Sequence, residues 1–170
     1  RWSITEEDRL LEQADITSSP STASGSPTDK KIIWPGFRGA NRDGVVYGTN
    51  ISTDWKESPP VEIWRRKIGP GCSSFAVDGN MIFTQEQRGE YEIVSCYNLT
   101  NGNPIWQHKD KARFYDSHAG AGPRSTPTVN GDRVYAFNQH LMVYCLDANT
   151  GRTNWSKDLM KEHAGRNIGW

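Results

Sequence analysis

Apolar and polar positions fall into short runs separated by turn residues, most clearly between Ser125 and Trp155. There STPTVNGDRVYAFNQHLMVYCLDANTGRTNW reads as four strands in succession. Asn130-Gly131 signals a two-residue hairpin, because both central residues of a type I′ turn need positive φ. The runs Arg133–Phe137 and Leu141–Leu146 are apolar on both faces, as in a sheet lying between two other sheets. Asp147-Ala148-Asn149-Thr150-Gly151 makes the next turn, and Trp155 stands in the last strand.

The pattern occurs once more upstream. The offset from Cys96 to Cys145 equals that from Trp106 to Trp155, whereas Val77-Asp78-Gly79 precedes Val129-Asn130-Gly131 by three residues more. That difference falls in the hairpin Gln85–Glu90, where an insertion costs little closure entropy. Strands are predicted near 73–77, 81–85, 91–98 and 104–108, then 125–129, 133–138, 141–147 and 153–157. Trp64, in EIWRRKI, matches Trp106 but lacks a preceding turn and inner strands, so 61–67 is predicted to be a lone outer strand. Segment 160–170 would lead into a third unit. Units of this length with a fixed turn and a Trp are the signature of a β-propeller, whose ring closure removes exposed edges.

Ahead of the repeat the pattern breaks down. Residues 1–12 read as a short helix capped by Thr5, and 17–31 form a Ser/Thr/Pro-rich tether, together a flexible region over 1–31. The lead-in 32–60 is irregular, yet Trp34, Phe37, Tyr47 and Trp55 would pin it across a surface. From Val61 onwards the incomplete repeats occupy 61–170.

Composition narrows the function classes. The 170 residues carry zero formal net charge, which gives no general attraction to nucleic acid or an anionic membrane. Three cysteines, Cys72, Cys96 and Cys145, lie far apart, and so small a number sets a disulfide framework aside. His108, His118, His140 and His163 show no ligand spacing, so no metal site is expected. Gly120-Ala121-Gly122-Pro123 lacks the strand-to-helix setting of a phosphate loop.

The turn Asp147-x-x-Thr150-Gly151-x-x-x-Trp155, with its degenerate copy Asn98-x-x-Asn101-Gly102-x-x-x-Trp106, resembles the tryptophan-docking motif of pyrroloquinoline-quinone (PQQ) repeat propellers. This is the quinoprotein alcohol dehydrogenase-like and BamB-like superfamily. WPGFRGANRDGVV, WRRKIGPGCSSFAVDGNMIFTQEQRGEYEIVSCY and GAGPRSTPTVNGDRVYAF are similar to bacterial PQQ-binding-like propellers of unassigned activity. The resemblance implies an all-β fold: two four-stranded antiparallel blades and an orphan outer strand, part of an eight-bladed ring in a longer protein. It also implies a periplasmic or extracytoplasmic, membrane-anchored location, with an anchor or export segment upstream. Trp64, Trp106 and Trp155 would then pack between blades, with Gly102 and Gly151 allowing close approach and Asn98, Asp147 and Thr150 shaping the turns.

The segment 113–124 is the most chemically loaded. In a propeller, the link from an outer strand to the next inner strand crosses one face towards the central channel. Arg113, Asp116, His118 and Arg124 are therefore expected at a polar pocket for an anionic or polyhydroxylated ligand, with Glu86 and Arg88 reaching the same face. No nucleophile–base pair or metal cluster emerges, which favours a non-catalytic binding or assembly scaffold at the bacterial cell envelope. Its partner would be an envelope protein or a small anionic ligand. The alternative is a quinoprotein dehydrogenase oxidising alcohols or sugars with PQQ held by Ca²⁺. Against it, no two neighbouring cysteines supply the Cys-Cys pair of those enzymes.

Overall fold

The computed structural model describes residues 10–11 and 33–163. Leu10 and Leu11 are helical, while the rest of the predicted 1–31 region and residues 164–170 lie outside the described residues. The first sheet runs in the order β1 (Ile33–Trp34), β2 (Ala76–Asp78), β3 (Met81–Arg88), β4 (Tyr91–Asn98), β5 (Pro104–Asp110). A small hairpin, β6 (Tyr115–Asp116) and β7 (Gly120–Ala121), follows. The second sheet consists of β8 (Thr128–Asn130), β9 (Arg133–Phe137), β10 (Met142–Asp147) and β11 (Thr153–Asp158), in chain order from one edge to the other. All pairings are antiparallel. A short helix, Leu159–His163, comes last.

The two sheets repeat in detail. Cys96 pairs with Trp106 and Cys145 with Trp155, and a bulge follows each cysteine. Asn98 Oδ1 accepts from the Thr100 N–H (2.9 Å) and hydroxyl (2.7 Å), while Asp147 Oδ1 accepts from the Thr150 N–H (2.9 Å) and hydroxyl (2.8 Å). Each turn ends on a positive-φ glycine, Gly102 at 68° and Gly151 at 70°, a conformation that costs glycine nothing.

One continuous core joins the sheets. Phe83, Val94, Cys96 and Trp106 of the first pack against Val129, Val134, Ala136, Leu146 and Ala148 of the second. The Trp106 ring lies 5.8 Å from Phe83, its indole N–H donates to the Ala148 carbonyl at 2.8 Å, and Gly151 sits beneath the ring. Trp64 makes the same arrangement on the first sheet, donating to Leu99 at 2.8 Å over Gly102. Among the described residues no such turn covers Trp155, which is 42% exposed and touches Tyr135.

Two expectations fail. Residues 61–67 form no strand: with no sheet edge beside them among the described residues, Val61 and Ile63 are exposed, while Trp64 and Arg66 reach the turn at Gly102. Of the four rings in the lead-in, Trp34 alone is partly buried, and it forms an unexpected strand pair with Val77. Phe37, Tyr47 and Trp55 are exposed. Two of these rings serve local turns instead: Tyr47 donates to Asp43 (2.9 Å) and Trp55 to the Ser52 carbonyl (2.7 Å). The lead-in is fixed where it crosses both inner strands, through β1 on β2 and the Pro35 carbonyl accepting from Val129 at 2.8 Å.

Candidate functional site

The hairpin 113–124 leaves the outer strand β5 and returns to the second sheet. Phe114 N–H donates to Gln87 Oε1 at 2.9 Å, and the Pro123 carbonyl accepts from Cys72 at 2.8 Å, so both ends are tied to the first unit. Its turn is built on Asp116, whose Oδ1 accepts from the N–H groups of His118 (2.8 Å) and Ala119 (2.9 Å). These two hydrogen bonds, with smaller help from Arg124 and His118, outweigh desolvation and hold the carboxyl below its ordinary range.

Three of the predicted residues meet here. Arg124 lies 3.5 Å from Asp116 and over the Phe114 ring at 5.2 Å. His118 is 94% exposed and stands 3.9 Å from Asp116, with Nδ1 3.1 Å from the Ser117 hydroxyl. Arg113 is engaged elsewhere, with the Gly89 carbonyl and Glu90 (3.6 Å) at the tip of the β3–β4 hairpin.

Glu86 and Arg88 are a correction. They are 0% and 5% exposed, and belong to a strand rather than to a loop reaching the same face. Residues two apart in a strand share a face, so both point to one side of β3 and form a bidentate pair at 3.0 Å. Ser95, Tyr97 and the Gly69 N–H, each at 2.6 Å, fill the remaining acceptor positions of Glu86. Burial opposes the charge, but Arg88, Ser95 and Tyr97 prevail, and the pKa of Glu86 falls below its ordinary 4.5. This pair is a satisfied structural tie.

The opposite face of the same strands holds a cluster that reading the sequence missed. Glu92 and Asp110 stand directly across from each other on β4 and β5, with His108 one step along opposite Val94. Glu92 Oε2 accepts from Gln139 N–H at 3.3 Å, Asp110 accepts from Asn138 Nδ2, and the His108 and Tyr144 rings lie 4.7 Å apart. The sequence signal is faint: charged residues at one end of an otherwise apolar strand face, visible only once the register is known.

Among the described residues no three His, Cys, Asp or Glu converge to hold a metal ion. Nor is any described helix long and apolar enough to cross a membrane.

Residues 90–168 match the family model described as outer membrane protein assembly factor BamB. A search of curated proteins finds no match. Among solved structures, BamB from Moraxella catarrhalis aligns with 51% of this chain at 16% identity and a TM-score of 0.34. The aligned part spans 22% of that protein's length. With its successive antiparallel sheets, the chain is mostly strand and is similar over residues 90–168 to the PQQ-like β-propeller family described as BamB.

Proposed function

We propose that the protein is a non-catalytic propeller serving as a binding or assembly scaffold at the bacterial cell envelope, periplasmic or anchored outside the cytoplasm. The observation that carries this reading is how the charged residues are spent. Glu86 and Arg88 neutralise each other in the interior, Arg124 pairs with Asp116, and Asp116 holds its own turn. What the hairpin offers outward is a short tip with Tyr115 and His118 exposed, a presenting surface rather than a pocket. A Tyr on a rigidly tied hairpin is the residue type that anchors protein interfaces. The partner is therefore an envelope protein with an acidic or hydrogen-bonding patch to meet Tyr115 and His118.

The test places a photo-crosslinking amino acid at Tyr115 or His118 of the full-length protein in cells, with Lys56 on the lead-in as control. One discrete adduct with an envelope protein from both hairpin positions, absent from Lys56, is expected. Dye reduction by the purified full-length protein with PQQ, Ca²⁺ and an alcohol or sugar is expected to be nil. Turnover in that assay, or identical adducts from all three positions, would overturn the reading.

A further inference from the structure

The cluster at the seam between the sheets joins them through two carboxylates placed against each other. Glu92 is 3% exposed, its Oε2 accepts from the N–H of Gln139 in the loop between β9 and β10, and its Oε1 has no hydrogen-bond partner among the described residues. His108 Nε2, also buried, has none either. Both residues line a cavity with about 10 Å³ of free volume, the room of one water, alongside Asp110, Asn138 and Tyr144.

The charges facing this cavity are unbalanced. On β5 stand Asp110 and His108, and from the second sheet come Tyr144 and, beyond it, Asp158, which pairs with Lys161 at 2.9 Å. Gln85, Asn138 and Gln139 are neutral. Among the described residues no Lys or Arg lines the cavity, so two ionised carboxylates would face each other across adjacent strands, one buried and one half-buried, which costs free energy.

We propose that this cluster is a proton-operated latch: one proton on the Glu92–Asp110 pair closes the seam between the sheets, and its release weakens the seam by leaving two facing carboxylates ionised, so that openings exposing Gln139 become more frequent. The proton belongs on Glu92 Oε1, the oxygen without a partner. There it makes a donor that one water relays to the free His108 Nε2. Burial, opposed by the Gln139 hydrogen bond and reinforced by Asp110, raises the Glu92 pKa from 4.5 to about 7. Burial, opposed by Asp110, lowers that of His108 below its ordinary 6.5 and so favours the neutral imidazole, the form whose Nε2 can accept. Because the folded carboxyl keeps a proton that the unfolded one has released, the contribution of Glu92 to the seam is fully present below 4.5. It weakens as pH rises to about 7 and changes little beyond.

The test follows the ¹³C resonance of the Glu92 carboxyl in the full-length protein, assigned by its loss in Glu92→Gln. A midpoint near 7 is expected, moving down in Asp110→Asn as the opposing charge disappears. Protection of the Gln139 amide against hydrogen exchange, corrected for intrinsic rate, should fall roughly tenfold between about pH 5.5 and 8.5 in the wild type and stay level in Glu92→Gln. A wild-type midpoint near 4.5, or a Glu92→Gln protein keeping the wild-type pH dependence, overturns the latch. Should Glu92→Gln fail to fold, the wild-type midpoint and its displacement in Asp110→Asn decide alone.

Discussion

Gly151→Ala and Gly131→Ala form a matched pair that isolates the contact between an indole ring and a turn. Both glycines have positive φ, 70° and 58°, so each substitution carries a backbone cost of about 1–2 kcal/mol. They differ in what the new methyl meets. At Gly131 nothing lies within 4 Å, whereas at Gly151 it would stand 2.5 Å from Trp106 Cε3 and 2.7 Å from Cδ2. The ring must shift, which endangers its 2.8 Å hydrogen bond to Ala148, worth about 1 kcal/mol, and part of its packing on Phe83. Full truncation of such a ring costs about 3–5 kcal/mol, an upper limit for the displacement. Gly151→Ala should therefore cost about 3–5 kcal/mol in total and Gly131→Ala about 1–2. Urea unfolding of the full-length protein measures both, and a double-mutant cycle with Trp106→Ala closes the argument. Once the indole is gone, Gly151→Ala should cost no more than Gly131→Ala. Equal costs for the two glycines in the wild type, or an unchanged Gly151 cost without Trp106, would refute the ring contact as the cause.

Gly102→Ala should couple to Trp64→Ala in the same way, since a methyl there would stand 2.5 Å from the Trp64 ring; independent effects would detach Trp64 from the turn. Glu86→Gln should destabilise by about 3–5 kcal/mol by stranding a buried Arg88, and Glu86→Met with Arg88→Met should recover most of that loss in the same unfolding assay. In the wild type this tie is fully present above pH 4.5 and is lost as pH falls through the lowered pKa of Glu86, a slope opposite in sign to that of Glu92; an acid titration of Glu86→Gln should lack it. Arg124→Ala should change stability by no more than about 1 kcal/mol, as it removes a part-exposed ion pair and a ring contact, and a larger loss would make Arg124 a tie between the units.

The repeat was legible because its signals are local. Asn130-Gly131, the acceptor side chain of Asn98 or Asp147, the turn glycine and the tryptophan each act within a few residues, and the structure puts the β4–β5 and β10–β11 pairs in one register. Burial of Glu86 and Arg88 was not legible. Gln85-Glu86-Gln87-Arg88 looks like a polar loop, and alternation carries no message when both faces of a strand are polar. Only the pairing of β3 with β4, which brings Ser95 and Tyr97 to Glu86, reveals a satisfied interior network. The aromatic lead-in misled for the opposite reason. Rings suggested burial, but Tyr47 and Trp55 bond to residues three or four positions away, and nothing in the sequence distinguishes a local bond from a long-range contact.

The departure of one repeat from the other is where the chemistry gathers. The three additional residues between Val77-Asp78-Gly79 and Cys96 extend the β3–β4 ladder to eight residues per strand instead of enlarging its turn. That extension carries Gln87 to Phe114 and Gly89 to Arg113, and so sets the position from which the hairpin 113–124 projects. It also carries Glu92 beyond the apolar part of the strand face. The shorter β9–β10 pair ends instead in the loop Asn138–Leu141, closed by Asn138 Oδ1 accepting from His140 and Met142, each at 2.9 Å. This loop delivers Gln139 N–H to Glu92 and Asn138 to Asp110. If both repeats had the shorter ladder, neither the hairpin anchor nor the carboxyl pair would exist, while the apolar core and the tryptophan turns would be unchanged. The shared features of the repeat build the fold, and the inequality between its copies builds the sites.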